Sequence, residues 1–205
     1  PRKHVQTFNG AEVRLQFEPQ LIAKLNELAL GSGSSLYTTL LTAFALTLQR
    51  YTNQDDIVIG CPVANRNHPE LEDIIGVFIN NLPLRVSIPD KITFRHLLAK
   101  VNTNMIGLLE NQDTPFEKII EALNLKRDLN LSPLFQVLFN MLNAHGERLN
   151  LSGCTTHYID AGRYVSKLDL SLIITQIDEV HTAVFEYNID LFKYQTIKYL
   201  AGHFM

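Results

Sequence analysis

Three stretches hold polar side chains that neither a helical nor a strand period accounts for. In IGVFINNLPLR, residues 75–85, Gly76, Asn80, Asn81, Pro83 and Arg85 interrupt an otherwise apolar run. An extended backbone sends neighbouring side chains to opposite faces. One of Asn80 and Asn81 therefore points into an apolar wall, where an amide has to meet a ligand or a buried backbone group. Arg85 has the fork geometry to hold a carboxylate bidentately. A plainer account also fits: Gly76 permits a bend, Pro83 marks a bulge or sheet edge, and Arg85 emerges into solvent.

The second stretch, NQDTPFE at 111–117, reads as local helix chemistry, with Asp113 or Thr114 as N-cap, Pro115 at the first helical position and Glu117 adding first-turn charge. In the third, RDLNLSPLFQ at 127–136, Arg127 and Asp128 stand side by side and suit an ion pair within a loop, and Pro133 precedes a strand. Other chemistries lack their patterns. The seven histidines form no HExxH and no i, i+4 pair, and there is no GxSxG elbow or phosphate-cradling glycine loop. His157 with Asp160 is one local His and acid pair, a weak signal for acid–base work. Cys61 and Cys154 have no CxxC spacing, so two reduced, buried thiols are expected and no metal site.

With 205 residues, 46% hydrophobic and 19% charged, the chain can bury a substantial core. A formal charge of -3 without a Lys/Arg run gives no footprint for nucleic acid or an anionic membrane, and no apolar stretch reaches membrane-spanning length. The expectation is a soluble cytoplasmic protein. Starting at Pro1 and stopping at Met205 within a helical pattern, the chain reads as an excised piece.

The elements that must position these stretches follow from periodicity. Val13, Leu15 and Phe17 alternate with polar residues as a strand; Pro19 opens a helix closed by Gly31 and Gly33; Ser34 or Ser35 caps a second helix over 36–51, apolar around most of its circumference. DIVIGCPVA reads as a strand covered on both faces, NRNHPELED as a loop, and IGVFINNLPLRVSI as the next strand. A helix over 93–110 follows, then a short one opening at Pro115. Strands are expected at 135–142, around 149–159, and at 168–177 and 181–189 as a hairpin, before a helix capped by Asp190. This order predicts an α/β two-layer sandwich, a mixed, largely antiparallel sheet with covering helices.

Taken in order, the three stretches resemble three successive signature segments of the condensation domains of nonribosomal peptide synthetases. The TTLLTAFALTLQRYTNQDDIVIGCPVANR segment, SKLDLSL and the closing EYNIDLFKYQTIKYLAGHF are similar as well, so the resemblance covers nearly the whole chain. It implies one lobe of a V-shaped, chloramphenicol acetyltransferase-like domain, with residues 1–205 as the C-terminal lobe. The HHxxxDG that defines catalysis in the family belongs to the N-terminal lobe and is absent here, so the resemblance places no catalytic residue in this chain. It implies amide bond formation in the parent domain, between aminoacyl or peptidyl thioesters on the 4'-phosphopantetheine arms of upstream donor and downstream acceptor carrier proteins, beside an adenylation domain, with no directly bound cofactor. Arg85 is then expected to pair with the HHxxxDG aspartate across the lobe interface. Asn80, Asn81 and Asn143 are candidates for lining the tunnel, and Gly76, Asp113, Pro115, Arg127, Asp128 and Pro133 are architectural. Asn111 and Thr114 depart from the family's commonest residues, a histidine and an aromatic or aliphatic residue, while the pattern stays closest to ordinary L-to-L condensation. A rival of another class is a noncatalytic condensation-like module that docks a carrier protein or tailoring enzyme. An acyltransferase using free coenzyme A fits the three segments less well.

Overall fold

The computed structural model describes residues 2–125, 128–142, 151–155, 162, 164–177 and 179–205. Among the described residues six strands form: β1 (Gly10–Gln16), β2 (Asp56–Val63), β3 (Asn80–Ser87), β4 (Val137–Leu142), β5 (Leu170–Ile177) and β6 (Val180–Asn188). They form one mixed sheet in the order β1-β6-β5-β4-β2-β3. β4 runs parallel to both β2 and β5, and the other neighbours are antiparallel.

Among the described residues five α-helices accompany the sheet: α1 (Pro19–Gly31), α2 (Leu36–Thr52), α3 (Phe94–Glu110), α4 (Phe116–Leu123) and α5 (Tyr194–Phe204). Pro19 occupies the first turn of α1, Ser35 caps α2 by accepting from Thr38 N at 3.1 Å, and Thr93 caps α3 by accepting from His96 N at 3.4 Å. α2 is the central core helix its circumference demanded. Its buried Thr39 and Thr42 hydroxyls donate to the carbonyls of Ser35 and Thr38.

α1, α2, α3 and α5 share one apolar core with alternate residues of the sheet, including Val13, Ile59, Leu84, Phe139, Leu172 and Phe185. Phe204 of α5 packs edge-on against Phe44 and Phe185, at ring distances of 6.3 and 5.7 Å. Each such ring contributes about 1.5–3 kcal/mol through burial, plus ring geometry. Cys61 lies in the same core and burial pushes its thiol up to about 12; burial likewise raises the neighbouring Tyr37 hydroxyl well above its usual range. Neither is a nucleophile at neutral pH.

Several expectations are corrected. The strand after the loop starts at Asn80, because residues 75–79 find no ladder partner. Asp190 does not cap α5, which begins after Lys193; its carboxylate instead accepts from Asn9 Nδ2 at 2.9 Å and Lys3 Nζ at 3.1 Å. β2 is only half-covered at Val58 and Pro62. Cys154 is exposed. Residues 151–155 form a turn rather than a strand, and the rest of the expected 149–159 strand, with His157 and Asp160, lies outside the described residues.

Candidate functional site

Asn80 is the inward amide, only 9% exposed, and all of its hydrogen-bonding capacity is used. Nδ2 donates to the carbonyls of Gln112 and Thr114, both at 2.8 Å, while Oδ1 accepts from Asn81 N at 3.0 Å and Phe116 N at 3.2 Å. The first signature segment thereby clamps the second. It also supplies the cap of α4, whose own N-cap position is Pro115 and has no side-chain acceptor. Within this chain, a backbone turn takes the four bonds that Asn80 offers. The local-cap expectation for Asp113 or Thr114 is corrected. Asp113 accepts from Asn67 Nδ2 at 2.8 Å, which ties the second segment to the loop that precedes the first.

Asn81 and Arg85 lie on the opposite face of β3 from the buried Leu82, Leu84 and Val86. Arg85 pairs with Asp56 of β2 in this chain: Nε donates to Oδ1 at 2.9 Å and Nη2 to Oδ2 at 2.6 Å. The guanidinium is well exposed, and its Nη1 has no partner among the described residues. Hydrogen bonding to Arg85 holds the Asp56 carboxyl below its usual value of 3.8. A depressed carboxylate stabilises the fold at pH above its unfolded value, and that contribution disappears as pH falls through the folded one. The melting temperatures of wild type and Asp56→Asn are therefore expected to differ slightly at neutral pH and low salt, and to converge in acid or high salt. A difference that persists in acid contradicts the pair.

The third segment turns on Pro133. Phe135 N donates to Pro133 O at 2.9 Å across Leu134, which adopts φ 70°, a left-handed value costly for a branched side chain. The turn throws the Phe135 ring over Gly60 of β2, and the ring also meets Phe116 of α4 at 5.3 Å. Asp128 closes an Asx turn by accepting from Asn130 N at 3.0 Å. Between this segment and α4 opens a groove of about 960 Å³, whose lining mixes Ile120, Leu125, Leu131 and Leu134 with Glu117 and Asp128. Arg127 and Asn143, the other candidates, lie outside the described residues.

Sequence reasoning missed Arg66. Its guanidinium donates to the carbonyls of Leu71, Glu72, Ile74 and Gly76 and sits 4.4 Å over the Phe78 ring. The preceding Asn65 has φ 53°, a left-handed turn that an asparagine tolerates. Among the described residues no group of three His, Cys, Asp or Glu side chains converges as a metal site, and no helix is long and apolar enough to cross a membrane.

Fold and site together define an α/β sandwich of one mixed sheet and covering helices, in which three signature segments meet at one corner of the sheet. The chain belongs to the condensation domain family, whose model matches residues 1–205. It is 39% identical over 206 residues to one of the linear gramicidin synthase proteins of Brevibacillus parabrevis, covering 100% of this chain and 4% of that protein. It is 38% identical to chondramide synthase cmdD of Chondromyces crocatus, covering 99% of this chain and 5% of that protein. Among solved structures, the X-domain from teicoplanin biosynthesis matches with a TM-score of 0.91 at 26% identity, covering 100% of this chain and 47% of that one.

Proposed function

We propose that this chain is the C-terminal lobe of a condensation domain that forms amide bonds between carrier-tethered thioesters in the cytoplasm. In that reaction the acceptor's amine attacks the donor thioester carbonyl; a C–N bond forms, the C–S bond breaks, and the donor's pantetheine thiol takes up the proton. An amine and a thioester already react on meeting, so the lobes act chiefly by positioning, for which effective molarity supplies several kcal/mol, up to roughly 10. The base sits in the HHxxxDG of the other lobe. This chain supplies the opposite wall, held by Asn80 and by the Asn67–Asp113 bond. The partners are the N-terminal lobe, donor and acceptor carrier proteins with their phosphopantetheine arms, and an adjacent adenylation domain.

The observation that carries this reading is Arg85. Its fork already holds Asp56 and still offers Nη1 on an exposed guanidinium, so it can take the HHxxxDG aspartate without giving up its first partner. A separately produced N-terminal lobe is expected to bind this chain, and Arg85→Ala is expected to weaken the complex. Equal affinity of the two forms contradicts the interlobe pair.

A second reading, a protein-docking module, is favoured by one likeness: a matching structure, at 26% identity and TM-score 0.87, is a complex of the X-domain and OxyB from teicoplanin biosynthesis. An intact HHxxxDG in the parent chain favours the enzyme, and a replaced second histidine favours docking.

A further inference from the structure

We infer that Arg66 is the positioning residue that sets the placement of the wall segment 71–79. This deepens the amide-forming function proposed above and rests on it. The segment follows one 3-10 turn, Pro69–Leu71, and enters no sheet ladder before Asn80. Leu71 O accepts from Ile74 N at 3.4 Å, and the other carbonyls of this largely exposed stretch face water unless a side chain offers a partner. Arg66 supplies it: Nη1 reaches Leu71 O and Glu72 O, and Nη2 reaches Ile74 O at 3.0 Å and Gly76 O at 3.2 Å. One planar cation thus gathers four carbonyls whose dipoles would otherwise repel.

The Phe78 ring closes the underside, with the guanidinium carbon 4.4 Å from its centroid. Gly76 makes room for that ring, since a Cβ there would stand 3.3 Å from it. With Phe78 turned in, Ile75, Val77 and Ile79 point out, at 101%, 92% and 64% exposure. Asn67 bound to Asp113, and Asn80 bound to Gln112 and Thr114, pin the two ends of the segment. The result is an apolar ridge at a fixed height, and in the proposed function it meets the tethered acyl or aminoacyl group. Arg66 itself touches no reacting atom. It acts through Ile75, Val77 and Ile79, on substrate placement rather than on proton transfer.

The experiment uses the whole parent condensation domain with loaded carrier proteins and compares wild type, Arg66→Lys, Arg66→Gln and Gly76→Val. Amide hydrogen exchange at Leu71, Glu72 and Ile74, whose N–H groups donate to His68 O, Pro69 O and Leu71 O, is expected to quicken by about tenfold or more in all three variants, with α2 and β5 unchanged. KM for a loaded carrier is expected to rise about tenfold while kcat stays within about twofold. Lysine does not rescue, because a single ammonium cannot span four carbonyls. Exchange unchanged in Arg66→Gln, full rescue by lysine, or a loss of kcat alone would overturn the inference. If wild type forms no amide bond, the proposed function fails while the exchange comparison still decides whether Arg66 holds the segment.

Discussion

Replacing Asn80 with alanine is expected to lower the melting temperature by about 6–12 °C, the shift that roughly 3 kcal/mol produces in a domain of this size. The side chain makes four hydrogen bonds, every one to backbone. Alanine leaves two carbonyls and two N–H groups without partners, one of them the Phe116 N–H that caps α4, at about 1–3 kcal/mol for each that water cannot reach. Residues 111–114 are largely at the surface, so water recovers part of this loss, which sets the total near roughly 3 kcal/mol rather than at the sum. Amides of α4 and of 112–116 should lose exchange protection first. Had Asn80 served a ligand, the same variant would keep its melting temperature and lose turnover; that outcome contradicts the clamp.

The second large effect is expected at Gly60. A Cβ there would lie within 3.0 Å of three carbons of the Phe135 ring, and Phe135 is only 4% exposed. Gly60→Val must therefore displace the ring or spread β2 from β4, at about 1–3 kcal/mol for overpacking. Losing the contact of Phe135 with Phe116 adds about 0.5–1.5 kcal/mol. Phe135→Ala alone should cost about 3–5 kcal/mol. In the double variant the valine fills space that the ring has vacated, so its cost should fall short of the sum by more than about 1 kcal/mol in chemical denaturation. Additive losses would show that Gly60 and Phe135 do not share that space.

Much of the fold was legible because it rests on local rules. Ser35 and Pro19 stand where helix starts require them, and the 3.6-residue period of Leu40, Phe44 and Leu48 needs no knowledge of the partner. The 170–188 hairpin was equally local, its ladder closing at Ile177 and Val180. The parallel placement of β4 between β2 and β5 was not legible, since it depends on which buried faces meet.

The site was legible as a set of segments but not as a set of roles. Asn80 binds backbone groups more than thirty residues away, and Arg66 binds carbonyls, so neither leaves a mark in the identity of its partners. Any residue type at 112, 114 or 74 would offer the same atom. Local cap chemistry accordingly credited Asp113 with work that Asn80 does. Gly76 reads as a bend in sequence; the structure gives it the space beneath the Phe78 ring that Arg66 caps.

The central claim, that this chain is one wall of a two-lobed amide-forming domain, is tested most directly by single-turnover peptide formation from loaded donor and acceptor carriers. Residues 1–205 alone are predicted to yield no product, and the same residues within a parent domain carrying an intact HHxxxDG are predicted to yield the dipeptidyl carrier. Product from residues 1–205 alone, or none from that parent domain, would contradict it.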